Sequence, residues 1–187
     1  MKTTFRANPG TSAGLRQPAN GFTLIELLVT ISIGALLMVV AVPSFVSFQK
    51  NAQLSETVSN FIAATNAARA NAMKQGVNTY LVPNSGTNWG SGWMVFTDIN
   101  WNQTYDVSTE AVILSHESPD SSISITIPST SSFSSGYVLF NGSGYPRLKN
   151  GGFGGGTLVM NNGTRSSSII IDPAGRTRSC TTGSTGC

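Results

Sequence analysis

The spacing of apolar residues changes character twice along this chain. From Leu27 to Gln49 there are 23 residues without a charge, and Leu27–Val42 is apolar almost throughout. About 20 such residues span a bilayer as a helix. From Ser44 to Gln75 the apolar positions recur at helical spacing instead: Phe45, Phe48, Ala52, Val58, Phe61, Ile62, Ala68 and Ala72. Polar residues take the other faces, which predicts an amphipathic continuation of the same helix. Gly76 suits a helix stop. One helix is therefore expected over about residues 23–75, kinked near Pro43.

After Gly76 the period shortens to that of strands. The expected strands are Asn78–Val82, Gly92–Asp98, Ala111–Glu117, Ser122–Ile127, Tyr137–Phe140, Thr157–Met160 and Ser167–Ile171. They are short, β-branched or aromatic, and punctuated by Gly, Asn, Ser and Pro. Ser122–Ile127 alternates strictly, as in a sheet with one buried face. Asn161-Asn162-Gly163 reads as a hairpin turn, and Ser129–Gly136 and Asn150–Gly156 read as loops. The fold class is α+β: a long N-terminal helix packed on a mostly antiparallel sheet.

Composition narrows the function classes. Charged residues are 10% of the 187, so a coiled coil and a charge-rich disordered chain are excluded. Two Cys cannot build a disulfide framework, and one His leaves little for a metal cage or a His-based catalytic set. The net charge of +3 hides a polarity. Lys2, Arg6 and Arg16 all precede Gly21. Residues 22–120 carry Lys50, Arg69 and Lys74 against seven acids, a net of −4. Residues 121–187 carry Arg147, Lys149, Arg165, Arg176 and Arg178 against Asp172 alone, a net of +4. The basic C-terminal third is a candidate anion-binding surface.

The N-terminal basic flank places that side of the apolar helix in the cytoplasm. A secretory signal peptide fits poorly, because the apolar run is long and the small residues Pro18-Ala19-Asn20-Gly21 precede it. Glu26 stands at the entrance to the apolar run, where a lone carboxylate is costly. It is either an interfacial Glu stabilised by the helix N-terminus or a partner for a cation on a neighbouring subunit.

Gly21-Phe22-Thr23-Leu24-Ile25-Glu26-Leu27-Leu28 resembles the class III signal of type IV pilins and type II secretion pseudopilins. The resemblance implies cleavage between Gly21 and Phe22 by the prepilin peptidase, and N-methylation of Phe22. It also implies pairing of Glu26 with the N-terminal amine of an adjacent subunit. An amine and a carboxylate in apolar surroundings strongly prefer to be paired. Gly92-Trp93-Met94-Val95-Phe96-Thr97-Asp98-Ile99-Asn100, Phe140–Gly144 and Ile169–Arg176 are similar to the FimT/GspH branch, minor pilins and a minor pseudopilin.

The expected organisation follows from it: residues 1–21 as a removed leader, 22–48 as the transmembrane and filament-core helix, and 49–187 as a periplasmic or extracellular head in the pilin fold. The chain is expected in the bacterial inner membrane as a single-pass protein, then at the cell surface in a pilus. Its implied partners are other minor and major pilins, the prepilin peptidase and inner-membrane lipid.

Gly175-Arg176-Thr177-Arg178 lies near the chain end. Alternation in an extended segment puts Arg176 and Arg178 on one side, and Gly175 permits close approach of the backbone. Two guanidiniums in a row suit consecutive phosphates. The motif resembles the G-R-x-R sequence of FimT proteins associated with extracellular DNA, which implies double-stranded DNA bound non-specifically for natural transformation. The plainer reading is two solvated arginines on a tail. Arg147, Lys149 and Arg165 extend the basic set by charge alone. No aromatic residue interleaves the basic ones tightly in sequence, so base stacking is not expected.

Two structural readings compete: a FimU-like subunit that primes or joins pilus assembly, and a GspH-like minor pseudopilin of type II secretion. In an oxidising periplasm Cys180 and Cys187 are expected to form a disulfide; otherwise they are two free thiols on a flexible end. Asp98–Asn102 opens like a calcium loop, but Gln103 stands where Gly is needed. Trp89, Trp93 and Trp101 read as core or loop packing. His116 borders a strand without a nucleophile nearby. The sequence contains no P-loop, no HExxH and no catalytic set, so the chain is expected to be a peptidase substrate and not an enzyme. Neither cofactor, metal nor small-molecule substrate is expected.

Overall fold

A computed structural model describes residues 21–184 and Cys187. The expected leader therefore lies outside the described residues except for Gly21. The chain divides between Val42 and Pro43 into two units, ahead of the 48/49 boundary that the family resemblance implied.

Helix α1 is assigned over Leu24–Gln75, running through Pro43. At its start Thr23 and Glu26 form a reciprocal capping box. Thr23 N and Oγ1 donate to Glu26 Oε2 at 2.8 and 2.9 Å, and Glu26 N donates to Thr23 Oγ1 at 3.3 Å. At its end Gly76 takes φ 72°, and its N–H reaches Ala72 O at 2.8 Å. A left-handed residue there costs Gly little. In the first unit the apolar side chains of α1 are exposed, and this stretch is long and apolar enough to cross a membrane.

In the second unit α1 buries Leu54, Val58, Phe61, Thr65, Ala68 and Ala72, alternating spacings of four and three that define one face. Phe45, Phe48 and Ala52, expected on that face, are exposed. They share the helical period but have no sheet beneath them.

The strands are β1 (Thr79–Ser85), β2 (Asn88–Thr97), β3 (Val112–His116), β4 (Ser124–Thr126), β5 (Val138–Phe140), β6 (Pro146–Arg147), β7 (Gly156–Asn161), β8 (Ser166–Ile171) and β9 (Thr177–Thr181). They form two antiparallel sheets, ordered β3-β2-β1-β5-β6 and β4-β7-β8-β9. All seven expected strands are present with shifted ends. β6 and β9 are additional, because neither carries a hydrophobic run.

The core joins α1 to both sheets through Phe61, Leu81, Trp89, Trp93, Val95, Phe140, Leu158, Met160, Ile169 and Ile171. Phe61 meets Trp89 and Trp93 edge-on at 5.5 and 5.2 Å, a preferred aromatic geometry. Trp101 differs: it is exposed, at φ 62° in the loop after β2. In that loop the buried Asp98 carboxylate accepts the Asn102 and Gln103 N–H groups, both at 3.1 Å. His116 stacks on Trp93 at 4.3 Å and bonds Asn60 at 3.1 Å, a packing role.

Candidate nucleic-acid interface

The segment after β8 turns sharply and returns as β9, the edge strand of the four-stranded sheet. The turn is made by Asp172. Its Oδ1 accepts the N–H groups of Ala174 and Arg176, both at 3.0 Å. Gly175 N donates to Asp172 O at 2.8 Å, and Asp172 N donates to Arg176 O at 3.0 Å. An Asx side chain that satisfies its own turn needs no other template. The Arg176 N–H, reinforced by its guanidinium and by Ala174 N–H, holds the Asp172 carboxyl below its usual range against some desolvation.

Gly175 takes φ 79° and is buried. A Cβ there would stand 2.5 Å from Gly144 O and 3.1 Å from Arg69 Nε. The close approach that the sequence suggested for a partner is thus made to the protein's own backbone. Arg69, on α1, clamps the turn: Nε donates to Gly144 O at 3.0 Å and Nη2 to Ala174 O at 3.1 Å. Nothing in the local sequence pairs Arg69 with residues 75 and 105 positions away. Reading it out required the fold.

Arg176 and Arg178 are both exposed. They are not equivalent. Arg176 Nε lies 2.8 Å from Asp172 Oδ2, with the guanidinium side chain 79% exposed. Among the described residues that is the one ion pair, so Arg178 has no acidic partner among them. Arg178 stands opposite Ile170 on β8, and Ile170 opposite Thr157 on β7. Directly paired residues share a face, and the neighbouring Leu158–Ile169 pair faces the core. Arg178 is therefore on the outer face of this sheet.

The other basic residues separate. Arg165 sits in the β7–β8 turn, at the opposite end of β8 from Arg176 and five residues from Ile170, or roughly 17 Å along the strand. It does not extend the Arg176–Arg178 group. Lys149 Nζ donates to Gln103 O at 2.9 Å and lies over the rings of Tyr137 and Tyr80 at 5.2 and 5.7 Å. Burial, then Asp98 and Tyr137, push the Tyr80 phenol upward, so it stays neutral beneath the ammonium. Arg147, on β6, places its guanidinium over Phe153 at 4.6 Å. An aromatic ring does accompany a basic residue in space, contrary to the linear reading.

Cys180, in β9, is bonded to Cys187 with Cα atoms 5.7 Å apart. The expected disulfide is present two residues beyond Arg178.

Residues 57–175 match the family described as type II transport protein GspH, and residues 16–42 match the prokaryotic N-terminal methylation motif. The first match covers more than half of the chain. The protein belongs to the GspH family of pilins and pseudopilins. No curated protein matches it. Among solved structures it is similar to the type IV minor pilin FimU of Pseudomonas aeruginosa in two crystal forms. One superposes with a TM-score of 0.55 at 16% identity, over 70% of this chain and 90% of FimU. The other gives 0.53 at 14% identity, over 67% and 91%. At that identity the likeness shows the pilin fold. Family membership brings prepilin processing and association with other pilins, and the apolar helix fits an inner-membrane anchor. The GspH match ends at Gly175, so Arg176 and Arg178 lie just beyond it.

Proposed function

We propose that this GspH-family protein is a FimT-like minor type IV pilin that captures extracellular double-stranded DNA for natural transformation. It is processed at Gly21/Phe22, assembles through Glu26 and presents Arg176 and Arg178 to DNA. The observation that carries this reading is the exposed pair of arginines, one closing a turn braced from within by Asp172, Arg69 and the buried Gly175 and the other on the strand that leaves it. A braced turn loses little entropy when it meets a phosphate backbone. With two or three phosphates contacted, binding is weak, salt-sensitive and indifferent to sequence.

The test is duplex binding by the full-length chain in detergent micelles, wild type against Arg176→Gln/Arg178→Gln, across a salt series. Wild-type binding that weakens with salt and is lost in a folded double variant is the expected result. No wild-type binding at low salt, or equal binding by the variant, overturns the reading. In cells, DNA uptake lost with pili intact separates DNA capture from a FimU-like role in assembly, where both are lost. Neighbouring secretion genes in place of pilus genes would favour a GspH-like pseudopilin.

A further inference from the structure

A groove of about 400 Å³ opens beside the arginine turn, between residues 153–157 and residues 170–173, where β8 ends and the turn begins. That volume is in the range of small-ligand clefts. Its floor is the run Gly154-Gly155-Gly156, which the linear pattern presents only as a loop. The floor is built and packed. A Cβ on Gly154 would stand 2.8 Å from Arg147 N, and one on Gly155, at φ 134°, would stand 2.9 Å from Ile171 O. Ser132 Oγ donates to Gly155 O and accepts Gly155 N at 3.1 Å, while Gly154 N reaches Pro146 O at 3.0 Å. Backbone thus approaches backbone on both sides, which leaves the groove shallow, smooth and walled by one aromatic ring.

That ring is Phe153, 71% exposed although large and apolar. The Arg147 guanidinium covers one face at 4.6 Å. On the opposite wall Asp172 carries Arg176, and Ile170 lies directly across from Arg178. One guanidinium lies on the ring and two more adjoin lining residues of the groove, Arg176 at Asp172 and Arg178 at Ile170, while Asp172 is the only acid in residues 121–187. An exposed π surface with cations on it and on the facing wall complements a ligand that is flat and aromatic between anionic groups.

We propose that the Phe153 groove is a stacking site for an unpaired base of DNA, with Arg147, Arg176 and Arg178 on the adjoining phosphates. This rests on the DNA reading above and sharpens it. Bases inside a duplex present only their edges, so the groove selects single strands and frayed ends, while Arg176 and Arg178 alone serve the duplex backbone. Stacking on one ring tolerates any base.

The experiment uses the full-length chain in detergent micelles and an oligonucleotide of about 12 residues carrying 2-aminopurine, single-stranded or paired, within the span one small domain can cover. Phe153→Ala weakens single-strand binding by roughly 5- to 100-fold, the range for losing one stacked base. It leaves binding to a duplex with closed hairpin ends within about twofold and abolishes the 2-aminopurine quench. Phe153→Tyr keeps both affinity and quench. Because the ring is exposed, its removal opens no core, and an unchanged thermal transition verifies this.

Equal single-strand binding by wild type and Phe153→Ala overturns the stacking site. So does a loss shared equally by single strand and closed duplex, which assigns Phe153 to placing Arg147. If Arg176→Gln/Arg178→Gln loses the closed duplex while Phe153→Ala changes nothing, DNA capture stands and the groove falls. If single strands bind through Phe153 but the closed duplex does not bind, the groove stands and duplex capture falls. A wild type that binds neither removes both.

Discussion

The two turns that flank β8 are built from the same local parts and finish differently. At the β7–β8 turn, Asn162 Oδ1 accepts Thr164 N at 3.0 Å and Arg165 N at 2.7 Å, with Gly163 at φ 88°. At the β8–β9 turn, Asp172 Oδ1 accepts Ala174 N and Arg176 N at 3.0 Å, with Gly175 at φ 79°. Each has an Asx cap, a left-handed Gly and an Arg. The first is tied to α1 by Asn162 Nδ2 reaching Asn51 Oδ1 at 2.9 Å, and the space around Gly163 is open. The second is closed against Gly144 and Arg69 and leads into the edge strand. Local sequence specifies a turn. What the turn is packed against decides how firmly its backbone is held.

The glycines test this difference most severely. Gly175→Ala combines a left-handed Cβ with a backbone clash and should destabilise the head by about 2–4 kcal/mol. Gly163→Ala meets no neighbour and should cost about 1 kcal/mol. Chemical denaturation of the two variants measures the gap; equal losses would mean the packing at Gly175 contributes nothing.

The ties to α1 come next. Arg69→Met strands the carbonyl of the buried Gly144, leaves the exposed Ala174 carbonyl to water and should cost about 2 kcal/mol, against about 1 kcal/mol for Asn51→Ala. If the clamp matters for DNA, Arg69→Met also weakens duplex binding in a protein that remains folded. Asn51→Ala leaves binding unchanged.

Single arginine changes are smaller in stability and sharper in function. Arg178→Gln should reduce the slope of log affinity against log salt by about 0.9, one phosphate contact. Arg165→Gln, at the far turn, should leave the slope where it was. A salt titration of both variants reads the difference directly.

The smallest effect belongs to the caps. Asp172→Asn keeps an acceptor for the turn and releases Arg176, so duplex affinity should rise by about 1.5- to 5-fold, the worth of an exposed ion pair. The sign with pH follows from a lowered carboxyl. Stability from the ionised Asp172 is complete above the ordinary value of about 3.9 and fades as pH falls through the lower folded value. Wild type should therefore lose stability in acid more steeply than Asp172→Asn, while Asn162→Asp at the other turn should create such an acid limb where none existed.

Much of the fold was legible in the linear pattern. The 3.6-residue period and Gly76 mark α1, and seven strands announce themselves by β-branched and aromatic runs. β6 and β9 do not, because Pro146–Arg147 and Thr177–Thr181 earn their strand geometry from a neighbour's hydrogen bonds and not from apolar side chains. Phe45 and Phe48 mislead for the converse reason: a helical period declares a face without saying what lies under it. Among the candidate residues, Arg176, Arg178, Cys180 and Cys187 were readable as motif and spacing. Arg69 and Phe153 were not, since the turn that Arg69 holds and the groove wall that Phe153 faces are distant from them in sequence.

By itself, then, the sequence determined the features that depend on neighbours along the chain: the apolar helix and its charged flank, the processing signal, the capped turns and the excess of cations in the last third. Tertiary structure decided which cations share a surface. It set Arg165 at the far end of β8, turned Lys149 onto a carbonyl and two tyrosines, laid Arg147 over Phe153, and put Phe153 in one groove with Asp172 and Ile170, the neighbours of Arg176 and Arg178. The physical reason is that charge and hydropathy are properties of residues, whereas a binding face is a property of register. In a sheet, which side chains adjoin is set by strand order and pairing, and those follow from how the whole core packs.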